Sequence, residues 1–218
     1  MPSVLSTKKL QLNQRELLLN AGCSFVEYDA ITIELIPFEF PKDIENIIIT
    51  SQNGATQILT QEMPTEHYFV VGKKTEALLS NEGLKVVEIA QNSAELAHFI
   101  AKDYKKEHFY YFCGNKRRDE LPTILKEAKV SFEEVITYKT SLNIRSFEQT
   151  FDGVLFFSPS GVEAFAKANT LKNTTAFCIG NTTAAEAKKY TSHVIVSNAT
   201  SVESTIAKAV NHLKMVSK

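Results

Sequence analysis

Four polar turns carry residue types that bind anions, and each turn lies between an apolar run and a stretch of helical periodicity. The first backbone N–H groups of a helix are unpaired and bear a partial positive charge, so such turns can bind carboxylates or phosphates. The same residues also suit plain helix capping, which every helix needs. The candidate binding residues in these turns are Thr50, Ser51, Gly72, Thr75, Ser158, Ser160, Gly161, Gly180, Thr182 and Thr183.

A tyrosine and a basic run extend this set of candidates. Tyr138 follows the strand-like residues Val135 to Thr137, and this position predicts a strand end where the hydroxyl could donate a proton to a ligand. A structural, buried tyrosine is the alternative. Arg117 lies in a basic run, Lys116 to Arg118, after another apolar run, and it suits pairing with carboxylates. A solvated loop is the alternative for this run.

Several common kinds of site are absent from the sequence. There is no Ser-His-Asp order, no acidic dyad and no glycine fingerprint of a nucleotide site. Cys23, Cys113 and Cys178 are far apart, and no two histidines stand at ligand spacing, so we expect neither a disulfide framework nor a metal. If the protein is an enzyme, these absences indicate that it works mainly by placing a reactive substrate.

Composition narrows the class of protein and its partners. Of the 218 residues, 44% are hydrophobic and 22% charged, which is ordinary for a globular protein. The net charge of −1 gives no overall field that would attract nucleic acid or an anionic membrane. No apolar run is long enough to span a bilayer, and the first residues lack the order of a signal peptide. We therefore expect a cytoplasmic protein that binds neither nucleic acid nor membrane.

Alternating strand and helix patterns position the candidate residues. Short apolar runs such as Ile47–Ile49 and Val154–Phe157 predict buried strands, and a longer strand is predicted from Phe25 to Ile36. Helix-period segments separate the strands, and glycines such as Gly22 stand where helices end. This alternation predicts parallel sheets with helices on both faces. Ligands of such sheets bind beyond the carboxyl ends of the strands, where the four turns fall.

The chain also matches itself at one long offset. Residues 50–54 resemble 157–161 at an offset of 107 (158 − 51), and residues 71–77 resemble 179–185 at an offset of 108 (180 − 72). The pattern indicates two copies of one α/β unit. Either each copy folds alone, or the first strand–helix–strand of one copy docks on the remainder of the other. Polar linkers are predicted near 37–43 and 140–150, at equivalent places in the repeat, and they favour two crossings between domains.

Four segments together resemble the signature blocks of the uroporphyrinogen-III synthase family, in order and spacing over nearly the whole chain: 47–54, 135–140, 156–162 and 179–184. The resemblance implies an α/β protein of two similar domains, each a parallel sheet flanked by helices. A two-stranded connector would join the domains, with a cleft between them. One domain would comprise residues 1–38 plus 144–218, and the inserted domain residues 39–143.

The resemblance also implies a reaction. The enzyme would be a lyase of tetrapyrrole and haem biosynthesis that removes water from hydroxymethylbilane, a linear tetrapyrrole. The azafulvene formed in this way would close through a spiro intermediate to uroporphyrinogen III, with its terminal D ring inverted. Neither cofactor nor metal would be needed. A monomer is expected, and the resemblance leaves room for a transient contact with hydroxymethylbilane synthase.

Residue roles follow from the same resemblance. Tyr138 resembles the family's tyrosine near the leaving hydroxyl, and Thr183 with Gly180 resembles its threonine turn. Serines of the repeated turns, Ser51 and Ser158 among them, would bind substrate carboxylates. Lys8 stands where the family often has arginine, and lysine keeps the charge without the forked geometry.

A binding protein is the alternative function. Two α/β lobes also describe receptors that close on a small acidic ligand, although such receptors are often exported and this chain shows no signal. The two functions differ in outcome, because a receptor returns its ligand intact whereas a synthase releases a changed product.

Overall fold

The computed structural model describes residues 1–63 and 67–216 and divides into two compact units. Unit 1 comprises Met1–Thr32 and Ser141–Lys218, and unit 2 comprises Ile33–Thr140. The strands are β1 (Ser3–Ser6), β2 (Ser24–Glu27), β3 (Ile31–Leu35), β4 (Asn46–Ile49), β5 (His67–Val71), β6 (Val86–Ala90), β7 (His108–Gly114), β8 (Ser131–Leu142), β9 (Gly153–Phe156), β10 (Thr175–Cys178) and β11 (Val194–Val196). The helices are α1 (Leu12–Leu19), α2 (Gln52–Ile58), α3 (Lys73–Asn81), α4 (Ser93–Asp103), α5 (Glu120–Glu127), α6 (Pro159–Ala166), α7 (Asn181–Ala187) and α8 (Val202–Val216).

Unit 1 is built on a five-stranded parallel sheet in the order β11-β10-β9-β1-β2. Neighbouring residues of one strand point to opposite faces, so Leu5 and Val4 lie in different hydrophobic clusters. The cluster around Leu5 includes Phe165 of α6, and the cluster around Val4 includes Leu18 of α1 and Ile206 of α8. Helices therefore cover both faces of this sheet.

Unit 2 is built on a six-stranded sheet in the order β3-β8-β7-β4-β5-β6, and the pairs from β8 to β6 are parallel. Ile47 and Ile49 face the cluster that includes Leu79 of α3, whereas Ile48 faces the cluster that includes Leu96 of α4. The run of β-branched residues is thus buried on both faces, as its sequence predicted. The predicted α/β fold, with parallel sheets flanked by helices, is confirmed.

The five strands of unit 1 have the same order as five strands of unit 2, read as β6-β5-β4-β7-β8, and β3 is an additional strand at the edge of the second sheet. The first strand–helix–strand of the chain lies in the sheet of β9, β10 and β11, while β7 and β8 lie in the sheet of β4, β5 and β6. In parallel strands the carboxyl ends meet at one edge, so the predicted turns of each unit gather at one edge of its own sheet. This arrangement positions the candidate residues of unit 2 around a common point.

Two predictions about strands were wrong. The strand-like stretch from Phe25 to Ile36 forms two strands rather than one, because the backbone N–H groups of Tyr28 and Ala30 donate to the carbonyls of Ser6 and Thr7. Tyr138 does not end its strand, since β8 continues to Leu142.

The extension of β8 has a specific cause in unit 2. The Asn115 side chain accepts a hydrogen bond from the Thr140 backbone N–H at 2.8 Å, and the Asn115 N–H donates to the Tyr138 carbonyl at 3.2 Å. These bonds hold residues 138–140 extended beyond the end of β7.

Of the helices in the described part of the chain, none combines the length and apolar character that crossing a membrane requires.

Candidate functional site

A cavity of about 310 Å³ opens in unit 2 at the carboxyl ends of its parallel strands. It brings together four of the residues predicted from the sequence, namely Thr50, Ser51, Arg117 and Tyr138. Its lining also includes Tyr111, Cys113, Gly114, Lys116 and Arg118 from β7 and the following turn, and Asn92 and Ser93 from the start of α4. The position is the one where ligands of parallel α/β sheets bind.

The orientation of Tyr138 depends on an irregularity between β7 and β8. Cys113 pairs with Ile136, whereas the next residue, Gly114, pairs with Tyr138, so β8 carries one extra residue at Thr137. An extra residue of this kind redirects the side chains that follow it. Thr137 is fully buried, and half-buried Tyr138 lines the cavity.

Gly114 provides the space for the tyrosine ring. A Cβ atom at this position would lie 2.3 Å from Cε2 and 2.5 Å from Cζ of Tyr138, which is far inside van der Waals contact. Only glycine therefore permits the observed ring position. The sequence analysis did not select Gly114, although a glycine inside a strand is a known sign of close approach by another group.

Ser51 links the tyrosine to the first turn of α2. Its backbone is extended, with φ −149°, and its Oγ accepts a hydrogen bond from the Gly54 N–H at 3.1 Å. The same Oγ lies 2.9 Å from the Tyr138 Oη. The serine is thus both the N-cap of the helix and a hydrogen-bond partner of the candidate proton donor.

A second hydroxyl pair lies beside the first. The Thr50 Oγ1 and the Tyr111 Oη are 2.9 Å apart. Burial raises the pKa of Tyr111 to about 12, and the hydrogen bond from Thr50 opposes that shift only in part. Tyr111 is therefore a neutral phenol at physiological pH.

Cys113 lines the same cavity but is not an activated nucleophile. Burial raises the pKa of its thiol to about 12, so the thiolate that nucleophilic chemistry requires is not formed near neutral pH. The remaining cavity groups are hydroxyls, amides and cations, which bind and orient a ligand.

The basic run contains Arg117, which is paired within the protein, and two neighbours that are exposed at the cavity. Arg117 forms a two-pronged bond with Glu134, with Nε–Oε2 at 2.6 Å and Nη2–Oε1 at 2.7 Å, and also pairs with Asp119. The hydrogen bond that Arg117 donates to Glu134 raises the pKa of the guanidinium. Arg117 thereby fixes the turn after β7, and the exposed side chains of Lys116 and Arg118 line the cavity.

The start of α4 completes the polar lining. The Asn92 side chain accepts from the Glu95 N–H at 2.9 Å, and the Glu95 carboxylate accepts from the Gln91 N–H at 3.0 Å. This reciprocal cap holds Asn92 and Ser93 at the cavity. Neither Asn92 nor Ser93 was among the site residues predicted from the sequence.

Two predicted residues of unit 2 do not line this cavity. Gly72 has a φ of +84°, a conformation that favours glycine, and its N–H donates to the Ala90 carbonyl at 2.9 Å. Thr75, in the first turn of α3, is only 4% exposed. Both residues shape the turn between β5 and α3.

The remaining predicted residues lie in unit 1, at the carboxyl ends of β1, β9 and β10. Ser158 caps α6 by accepting from the Gly161 N–H at 3.0 Å, which repeats the cap made by Ser51 in unit 2. A Cβ at Gly161 would lie 3.4 Å from the Thr7 Oγ1, which is ordinary van der Waals contact. Thr183 is only 3% exposed. The predicted residues with more exposure in this unit are Lys8, Ser160, Gly180 and Thr182.

Within residues 1–63 and 67–216, no three acidic, histidine or cysteine side chains form a group that could hold a metal ion.

Comparison with known proteins gives one consistent result. The family model described as uroporphyrinogen-III synthase HemD matches residues 15–207. An uncharacterised protein of Rickettsia prowazekii (strain Madrid E) is 31% identical over 186 residues, which cover 81% of this chain and 65% of that protein. The chain thus spans about two thirds of the length of that relative.

Solved structures show the same fold at low sequence identity. Uroporphyrinogen-III synthetase from Helicobacter pylori 26695 is 18% identical, with a TM-score of 0.71 and coverage of 97% of this chain and 100% of that one. A mutant uroporphyrinogen III synthase from the extremely thermophilic bacterium Thermus thermophilus is 13% identical, with a TM-score of 0.70 and coverage of 99% and 100%.

Proposed function

The chain belongs to the uroporphyrinogen-III synthase HemD family, and from this premise we propose that it is itself a uroporphyrinogen-III synthase. In this proposal it converts hydroxymethylbilane to uroporphyrinogen III, with loss of water and inversion of the terminal ring. The single observation that carries the proposal is the position of Tyr138. Its hydroxyl lines a polar cavity at the carboxyl ends of the strands, in hydrogen-bond contact with Ser51.

Tyr138 would act as the proton donor of the first step. Its phenol proton passes to the hydroxyl oxygen of the substrate, the C–O bond breaks with its electron pair on that oxygen, and water leaves. The substrate is left as a protonated azafulvene, a cation that balances the negative charge on the Tyr138 oxygen. A positioned general acid contributes roughly 10²–10⁴-fold to the rate of such a step.

Cations and amides around the cavity would hold the substrate carboxylates. Arg118 is exposed at the cavity, and a guanidinium binds a carboxylate through two parallel hydrogen bonds. Asn92 and Ser93 stand at the N-terminus of α4, where the helix dipole favours a negative group. These local groups would retain an acidic substrate although the net charge of the chain is −1.

The later bond changes occur within the substrate. The terminal ring attacks through its substituted carbon, and the spiro intermediate fragments and closes again in the reversed orientation. The protein contributes by holding the reacting carbons close together and by excluding water from the azafulvene. In unit 1, Ser158, Ser160 and Gly180 offer further groups for substrate carboxylates.

Genetic complementation tests the proposal. The chain is expressed in a bacterium that lacks its own uroporphyrinogen-III synthase and therefore needs added haem. We expect growth without haem, and no growth with the empty vector. Failure to grow despite expression of folded protein would contradict the proposed activity and favour the receptor, which returns its ligand unchanged.

A further inference from the structure

We propose that Ser51 is a positioning residue, which keeps the proton of Tyr138 directed at the substrate and stabilises the phenolate left behind. This inference rests on the proposed function, and it gives Ser51 a different role from the carboxylate binding predicted from the sequence.

The hydrogen-bond capacity of Ser51 supports this direction. A serine hydroxyl has one proton and two acceptor positions, and Ser51 uses one acceptor position for the Gly54 N–H at 3.1 Å. The Tyr138 Oη, 2.9 Å from the Ser51 Oγ, is available to accept the serine proton. If Ser51 donates to Tyr138, the phenol proton is free to point at the substrate. If Tyr138 instead donated to Ser51, the phenol proton that the reaction needs would be engaged in that bond.

The bond from Ser51 would strengthen as the reaction proceeds. When Tyr138 gives its proton to the leaving hydroxyl, its oxygen becomes negative and the bond from the serine becomes charge-assisted. An interaction that is stronger in the transition state than in the ground state accelerates the step. The phenol is restored by the proton that the terminal pyrrole ring releases when it becomes aromatic again.

The repeat supplies an internal comparison. Ser158 caps α6 by accepting the same bond from a glycine N–H, at 3.0 Å, and among the described residues no tyrosine forms a hydrogen bond with its hydroxyl. Helix capping at this turn therefore does not require a tyrosine partner. The contact between Ser51 and Tyr138 in unit 2 is thus additional to the helix cap, as expected of a contact that serves the reaction.

Steady-state kinetics of three variants provide the first test. Ser51→Ala should lower kcat roughly 10- to 100-fold, the effect of one hydrogen bond to a charged group, and leave KM nearly unchanged. Ser51→Thr keeps the hydroxyl and should restore most of the rate. Ser201→Ala is the matched control, because Ser201 accepts from the Ser204 N–H at 3.1 Å and the variant loses the same kind of cap in unit 1. It should keep the wild-type kcat.

A spectroscopic measurement separates this inference from the proposed function. The protein is labelled with 3-fluorotyrosine, and the ¹⁹F resonance of position 138 is identified by its absence from Tyr138→Phe. Ser51→Ala should shift that resonance, Ser51→Thr should bring it back, and Ser201→Ala should not move it. An unchanged resonance in Ser51→Ala overturns the inference whatever the activity. If Ser51→Ala shifts the resonance but the wild-type protein forms no uroporphyrinogen III, the proposed function is overturned, while the hydrogen bond itself stands.

Discussion

Substitution of Gly114 by alanine tests whether the exact place of the Tyr138 ring matters for turnover. The new Cβ would lie 2.3, 2.5 and 2.9 Å from three ring atoms of Tyr138, whereas apolar atoms in contact are normally about 3.5–4 Å apart. The ring must therefore move by roughly 1 Å, and a displacement of that size at a reacting group can lower the rate about 10²-fold. We expect kcat to fall by about this factor and KM to change little.

The fold should survive the Gly114→Ala substitution. Gly114 does not have a positive φ, and the nearest atoms belong to a half-buried side chain rather than to backbone. Overpacking of this kind costs about 1–3 kcal/mol of unfolding free energy. Thermal unfolding measured beside kcat will show whether the variant remains folded at the assay temperature.

A double-mutant cycle shows whether Gly114 acts through Tyr138. In the Tyr138→Phe background the proton donor is already lost, so Gly114→Ala should cause almost no further fall in kcat. An unchanged kcat in the single variant would refute the reasoning. An equal fall in both backgrounds would also refute it, because the effect would then be independent of the tyrosine hydroxyl.

Three further predictions concern the site and the core. Tyr138→Phe should lower kcat about 10²-fold and leave the affinity for uroporphyrinogen III nearly unchanged; an unaltered turnover with lower stability would make the tyrosine structural. Arg118→Ala should raise KM several-fold, an effect that added salt diminishes, and an unchanged KM would exclude the arginine from carboxylate binding. Unfolding free energy should be constant up to about pH 8 and fall toward pH 12. The reason is that burial raises the pKa of four groups to about 12, so the unfolded chain loses protons first; these groups are Tyr28, Tyr111, Cys113 and Cys178. Urea unfolding at pH 8 and pH 10.5 measures this, and equal midpoints would contradict it.

Much of the fold follows from local patterns in the sequence. The buried strands predicted at Ile47–Ile49 and Val154–Phe157 are present as β4 and β9, and the predicted cap of α2 at Ser51 is confirmed by the bond from the Gly54 N–H. Gly22 ends α1 with a φ of +73°, as expected for a glycine at a helix end. Such features depend on a few neighbouring residues, and a single sequence displays them directly.

Contacts between distant residues account for what the sequence analysis missed. The extension of β8 past Tyr138 depends on the Asn115 side chain, and the place of the tyrosine ring depends on Gly114, 24 residues earlier (138 − 114). The ion pair between Arg117 and Glu134 likewise can be recognised only when the pairing of β7 with β8 is known. The hydrophobic periodicity and the composition of a single segment carry no information about partners that lie elsewhere in the chain.

The most direct test of the account is the isomer composition of the product. Freshly made hydroxymethylbilane is incubated with increasing concentrations of the protein, the products are oxidised, and uroporphyrins I and III are separated by chromatography. The account predicts mainly isomer III, formed at a rate proportional to protein concentration. Isomer I alone, at the rate of the protein-free control, would contradict it.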